Sequence, residues 1–393
     1  MKRMRVLLFG LAVALVGCVG SSSEPDLSAS TDAGTPDDIR ASSSGDIEAT
    51  SAPDLSLTKP PMVYVSGYST TIQRYRLDLT TGALTAVGTT TTTGSPSFLA
   101  VDPSRTHLYA VDESGSKVQA FTIDASTGAL THIGTDPGSG GSGPAYLTVD
   151  KSGAWVLTAN YGSGDVGILK VNADGTVAAP TSVHAGSMAH QVVLDSTNVH
   201  AWVPCLGSNY VAQYAFDAAA GSLNPATPPT VPAADMGAGP RHLSLAPGDA
   251  VAYLVEETAS MIDVYSVDGG GHLALLQRQS NRAAGATGTN TCAEVAVHPT
   301  GKWVYASNRG DDDIAVYSVG SDGKLTSLAH TKTGGQVPRH FSLDPTGRWL
   351  LVANQMSGDV RVFEIDSASG LLTPTGAMVA ATMPSFVGVV PLP

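Results

Sequence analysis

Residues Pro338-Arg339-His340-Phe341-Ser342-Leu343-Asp344-Pro345 are followed, after Thr346-Gly347-Arg348, by Trp349-Leu350-Leu351-Val352-Ala353-Asn354. Two apolar runs of strand length flank a turn carrying Pro and Gly, and this reads as a hairpin. Next comes Val360-Arg-Val-Phe-Glu-Ile-Asp366, whose alternation marks a strand buried on one face. A turn at Ser369-Gly370 and a short run at Leu371-Leu372 complete the unit. Four consecutive strands joined by tight turns form an antiparallel sheet with the topology of a propeller blade.

The unit recurs from Met62 onward with a period of about 47 residues. Inner-strand segments open at Pro96, Pro144, Ala189, Pro240, Cys292, Pro338 and Pro384. Second runs such as Trp155-Val-Leu-Thr-Ala-Asn160 and Trp303-Val-Tyr-Ala-Ser-Asn308 follow them. No stretch of the body sustains a helical apolar period. The first unit starts at its second strand, Val63-Tyr-Val-Ser66, and the chain finishes on an orphan inner strand, Ser385-Phe-Val-Gly-Val-Val390. Pairing these two pieces closes a ring and removes two free sheet edges. The fold class is therefore all-β: one seven-bladed β-propeller over residues 62–393, four antiparallel strands per blade, the first blade closed by the C-terminal strand.

The remaining sixty-one residues are not part of that body. Lys2, Arg3 and Arg5 precede an apolar run, Val6 to Val16, that is too short to span a bilayer. Leu15-Val16-Gly17-Cys18 looks like a bacterial lipobox, which predicts a signal peptide over residues 1–18 and lipidation of Cys18. Several acyl chains, each contributing about 0.8 kcal/mol per buried CH₂, would hold the chain on a membrane. Residues 19–61 are rich in Ser, Asp and Pro and lack aromatic residues, so they read as a disordered tether. The expected location is thus exported, lipid-anchored to a bacterial membrane on its periplasmic or cell-surface side.

The formal net charge is −13 and no basic stripe is present, which excludes a nucleic-acid footprint. The body is expected to be a monomer. Cys205 and Cys292 fall in non-adjacent blades, so no disulfide is expected between them. The sequence holds no HExxH, CxxC, Walker or nucleophile-elbow motif. Asp311-Asp312-Asp313 reads as a solvated acidic turn, its spacing matching no calcium loop.

In a propeller the inner strands line the central channel, so their opening residues form a ring at its mouth. In blade order the first position reads Ser385, Ser97, Ala145, His190, Arg241, Ala293, Arg339. The next reads Phe386, Phe98, Tyr146, Gln191, His242, Glu294, His340. Blades one to three carry small and aromatic residues, whereas blades four to seven carry a polar arc. A few placed polar groups beside an apolar wall suit a small polar ligand, so Gln191, His242, Glu294 and His340 are candidate substrate contacts. A second ring ends the second strands. Asn160, Asn308 and Asn354 read there as turn chemistry, and blade five departs from it with Glu256-Glu257, one of which could reach over the channel beside Arg241.

These residues resemble a known family. Gly239-Pro240-Arg241-His242, Ala293-Glu294-Val-Ala-Val-His298-Pro-Thr-Gly301, Ser307-Asn308-Arg309-Gly310 and Pro338-Arg339-His340-Phe341 are similar to the seven-bladed propeller lactonases. That family includes propeller-type 6-phosphogluconolactonases and the fungal carboxymuconate-lactonizing enzymes. The resemblance implies a catalytic set of His190, Arg241 and Glu257, with Arg339 as a second basic residue. Relatives often carry a His-x-His pair at the fourth inner strand, where this chain has Met188 before Ala189-His190. The implied activity is hydrolysis of a sugar-derived or similar lactone, with a lactone or sugar acid as small-molecule partner and no metal or cofactor. Such chemistry needs a base to activate water and positive charge where the carbonyl oxygen becomes anionic. The alternative is a non-catalytic surface propeller that binds a protein or glycan. Convergence of His190, Arg241, Glu257 and Arg339 in space would separate the two.

Overall fold

The computed structural model describes residues 57 and 59–393. The expected signal peptide, Cys18 and nearly all of the tether lie outside the described residues. From Met62 onward, twenty-eight strands form seven four-stranded antiparallel sheets, with no helix among the described residues. Each sheet is one blade, and the expected closure is present. The C-terminal strand Pro384–Val390 pairs with Met62–Gly67, Val390 opposite Met62 and Phe386 opposite Ser66. This first blade continues through Thr71–Leu77 to Leu84–Thr91.

Inner and second strands are almost wholly buried, while the outer strands alternate or are largely exposed; Leu372–Ala380 shows the alternation. That gradient follows from the ring, whose core lies between neighbouring blades. A circle of aromatic struts locks those contacts. An aromatic side chain on each second strand donates to a backbone carbonyl in the next blade. The seven bonds are Tyr64 to Gly128, Tyr109 to Gly175, Trp155 to Ala218, Trp202 to Gly271, Tyr253 to Gly323, Tyr305 to Gly370 and Trp349 to Leu79, the last closing blade seven onto blade one. Each strut packs a large apolar ring against the next blade, fully buried in all but the partly buried Trp155, while satisfying its polar tip. The receiving turn must be small: Gly221 has φ 63°, and a Cβ there would stand 2.2 Å from the Trp155 ring.

Three local expectations need correction. The inner strand of blade four is not continuous, because only Val193–Leu194 and an isolated bridge at Ala189 pair with the second strand. The recurring asparagines do more than shape turns. Asn160 is buried and donates to the carbonyls of Ser139 and Asp165, and Asn308 donates to Asn281 O and Asp313. The Asp311–Asp313 turn is only partly solvated. Asp311 pairs with Arg282, Asp313 is buried, and Asp312 accepts from the Val337 N–H. Cys205 and Cys292 are free and buried.

Candidate active site at the channel mouth

The inner strands do not run straight into the mouth. The ladder slips between Pro240 and His242, between Pro338 and His340, and between Pro144 and Tyr146. Arg241, Arg339 and Ala145 are therefore bulged residues, unpaired in the ladder. A bulge re-aims a side chain without disturbing the strand beyond it. The residue before the opening position is forced into the left-handed region, at Gly239 (φ 77°) and even at Val337 (φ 58°). A β-branched residue is strained there. The Asp312 carboxylate anchors the Val337 N–H at 2.8 Å, two residues before Arg339.

The mouth is a small pocket lined by Ser97, Ala145, His190, Arg241, Arg339, Ser385, Tyr68 and Glu113, over a floor that includes Phe98, His242 and His340. On one wall, Glu257 Oε2 stands 2.9 Å from Arg241 Nε and 2.9 Å from Arg309 Nη2. The Arg241 Nε–H is not aimed at that oxygen, so the contact is an ion pair rather than a hydrogen bond. Arg241 Nη1 donates to Ala293 O at 2.5 Å and Arg309 Nη2 to Cys292 O at 2.8 Å. On the other wall, Arg339 Nη2 donates to the Tyr68 hydroxyl at 3.0 Å, and Tyr68 donates to Glu113 Oε1 at 3.4 Å.

Burial pulls Arg241 down to about 9, with Arg309 and Arg339 adding to the effect, yet it stays cationic at neutral pH. Burial would raise Glu257, but Arg241 and Arg309 outweigh it and hold the carboxyl below its ordinary value. Glu257 is thus an ionised partner of two arginines and a weak base. Three guanidinium groups face two carboxylates here, so the mouth is net positive in a chain of charge −13.

Beneath the mouth lies a polar chain inside an aromatic ring. His190 Nδ1 is 3.1 Å from His242 Nε2, and His242 Nδ1 is 2.9 and 3.0 Å from the two oxygens of Glu294. Phe98 packs against Tyr146, Phe386 and His340 at centroid distances of 4.4, 4.7 and 5.3 Å. Tyr161 meets the His190 ring edge-on at 5.5 Å. Burial, reinforced by Arg241, drives His190 and His242 well below the usual histidine value, and His340 falls to about 4, burial again leading. All three are neutral near pH 7. Burial raises the Glu294 carboxyl against the pull of His340 and Arg241.

The structure brings His190, Arg241 and Arg339 together at one pocket, with Glu257 on Arg241. It does not place all four expected substrate contacts there. Gln191 is buried, and its Oε1 accepts from Leu243 N at 2.6 Å, so it braces blade five. Glu294 is buried under the floor. Both ring nitrogens of His242 are engaged, and His340 Nδ1 accepts from Val387 N. Gln191 and Glu294 support the site from below, whereas His242 and His340 line its floor. Glu256 is turned away into the blade, near Asp263 and Arg278.

Sequence reasoning missed Tyr68, Glu113, Tyr161 and Arg309. All occupy one repeat position at the end of the second strand: Tyr68, Glu113 and Tyr161 follow its last residue, and Arg309 is its last residue in a blade whose strand runs one residue longer. Asp112, Asn160, Glu256 and Asn308 pair with the inner-strand openings, and the next residue overhangs the mouth. The ring at that position reads Tyr68, Glu113, Tyr161, Leu206, Glu257, Arg309, Gln355. Reading it one residue later than the asparagines would have found them.

Fold and site together define a seven-bladed propeller with a cationic pocket and a neutral histidine at one end of its channel. The profile of the family "Lactonase, 7-bladed beta-propeller" matches residues 62–389, and the chain belongs to that family of lactone hydrolases. Among curated relatives, the 6-phosphogluconolactonase of Sodalis glossinidius (strain morsitans) is 32% identical over 286 residues, covering 72% of this chain and 84% of that protein. That of Serratia proteamaculans (strain 568) is 31% identical over 264 residues, 66% of this chain and 78% of its own length. Among solved structures, the periplasmic gluconolactonase PpgL of Pseudomonas aeruginosa superposes with a TM-score of 0.79 at 28% identity, covering 85% of this chain and 99% of that one. A protein from Lactobacillus plantarum gives 0.78 at 29% identity over 84% and 100%.

Proposed function

We propose that the pocket hydrolyses a small sugar-derived lactone, 6-phosphogluconolactone-like or an unphosphorylated aldonolactone, with His190 as the base and Arg241 and Arg339 as the cationic groups. The observation that carries this is the convergence of a neutral histidine with two guanidinium groups around one pocket. His190 makes no hydrogen bond through Nε2 among the described residues, so that nitrogen is open to a water molecule. Neutral imidazole accepts the proton as water attacks the lactone carbonyl. Arg241 or Arg339 then meets the oxyanion, and the other holds a phosphate or hydroxyl group of the substrate. Glu257 keeps Arg241 in place.

The test is a panel of phosphorylated and plain lactones assayed with the purified body and with His190→Ala. The parent should turn over at least one sugar lactone, and the variant should lose about 10²–10⁴-fold in kcat. Equal turnover in both would remove His190 from the mechanism.

The same reading places the enzyme outside the cytoplasm on a lipid anchor at Cys18. Support comes from the Leu15-Val16-Gly17-Cys18 pattern and from the likeness to a periplasmic gluconolactonase. An exported enzyme would favour an unphosphorylated lactone, since sugar phosphates are intracellular metabolites. Cys18→Ala should abolish membrane retention and fatty-acid labelling in the full chain; unchanged fractionation and labelling would refute the anchor.

A further inference from the structure

We infer that Glu294 and His242 form, with His190, a buried proton relay that fixes the open nitrogen of His190 and carries the proton it takes up away from the cationic mouth. The geometry assigns each proton. Val387 N–H donates to His340 Nδ1 at 3.3 Å, so neutral His340 carries its proton on Nε2, which stands 3.5 Å from Glu294 Oε2. Val295 N–H donates to Glu294 Oε1 at 3.0 Å. His340 Nε2 makes no hydrogen bond to that carboxyl, but the Val295 N–H and the nearby Arg241 cation favour the carboxylate form against burial, and the carboxylate in turn requires the His242 proton on Nδ1. Neutral His242 therefore has a bare Nε2, which accepts from Nδ1–H of His190 across 3.1 Å. His190 is left with a bare Nε2 at the pocket, the tautomer a base needs.

The relay's part in turnover rests on the lactonase reading. Water adds its hydroxide to the lactone carbonyl and gives its proton to His190 Nε2. The Nδ1 proton of His190 passes to His242 Nε2, and the Nδ1 proton of His242 passes to the Glu294 carboxylate. When the ring C–O bond breaks, its oxygen takes the proton back through the reverse shifts. Lactone and water become a hydroxy acid, and the relay returns to its starting state.

The surroundings say why the proton should not rest on His190. Arg241, Arg309 and Arg339 all act on that ring, and Tyr161 packs on it. The same arginines act on His242, opposed by Glu257. An imidazolium at either place would be a buried cation beside other cations. A protonated Glu294 is neutral, and burial favours neutral forms. Phe98, Tyr146 and Phe386 shield this chain from bulk water.

Two readouts test it. Ring ¹⁵N spectra of the unliganded protein, with the His190 signals assigned by their loss in His190→Gln, should show the proton on Nδ1 and Nε2 bare; a proton on Nε2 would overturn the assignment. This needs no turnover, so it separates failure of the relay from failure of the lactonase reading. The second is Glu294→Gln, which keeps the shape but cannot take up a proton. Its kcat should fall about 10²-fold with KM changed less than about twofold. The acid limb of its pH–rate profile should move at least about one unit to lower pH, because the group that stores the proton is gone. A folded variant whose acid limb stays in place would show that Glu294 only braces the floor.

Discussion

Blades three and five share a backbone and differ in what they present. Both open their inner strand with Pro after a left-handed Gly, both slip register one residue later, and both end the second strand opposite that Pro. At the four positions this geometry exposes or buries, blade three carries Ala145, Tyr146, Asn160 and Tyr161, and blade five carries Arg241, His242, Glu256 and Glu257. Blade three supplies a wall; blade five supplies charge and a link in the proton path. The repeat is thus a scaffold with a few free choices per blade, and the site is the pattern of those choices around the ring.

The most severe way to break the comparison is to give blade five the residue of blade three. Arg241→Ala should lower kcat/KM by about 10³-fold, as loss of a cation at a developing oxyanion does. Arg309 still pairs with Glu257 in that variant, so the fold should survive. Steady-state kinetics on the best lactone, with a melting curve alongside, measures both; a loss below tenfold would move the oxyanion site to Arg339.

A sharper version concerns Glu256, where blade three has Asn160. The only hydrogen-bond partner of the Glu256 carboxyl among the described residues is the neighbouring Asp263 carboxyl, and Arg278 Nη1 reaches no closer than 4.0 Å. Burial raises Glu256 to about 8, with repulsion from Asp263 adding to it. Its folded value lies above its unfolded one, so this group's stabilising effect is full below about pH 4.5 and is lost as pH rises through about 8. Glu256→Gln should therefore come close to the parent near pH 5 and exceed it near pH 9 by about 4 kcal/mol. Thermal melts at the two pH values decide it, and a variant less stable at pH 9 would contradict the protonated state.

The smallest expected effect lies across the pocket. Tyr68→Phe removes the acceptor of Arg339 but keeps the ring 5.6 Å from its guanidinium. A net hydrogen bond to a charged group contributes about 1.5–3 kcal/mol, and water can replace part of it in an open pocket. KM should rise about threefold to tenfold with kcat nearly unchanged. A larger fall in kcat than rise in KM would make Tyr68 part of the chemistry.

The fold was legible because each strand advertises itself locally. Trp349 to Asn354 or Val360 to Ile365 need no partner to be recognised as strands, and the split first blade announces closure. Much of the site was legible for a related reason: an inner-strand residue that breaks the repeat, such as Arg241 or His190, has no structural excuse in its own blade. Arg309, Glu113 and Tyr68 escaped because each looks like an ordinary turn residue. Their role arises only when turns from different blades meet over one mouth.

Sequence by itself determined the blade number, the closing strand and the polar side of the ring, and its resemblance to a family pointed to His190, Arg241, Glu257 and Arg339. Tertiary structure decided which polar residues face the pocket and which lie under it. A strand's period puts Gln191 and His242 at the same repeat position, yet Gln191 turns to Leu243 N and His242 to His190 and Glu294. The reason is physical. Alternation fixes the face a side chain leaves from, whereas its hydrogen-bond partners come from neighbouring blades about fifty residues away in the chain, and only closure of the ring brings them within reach.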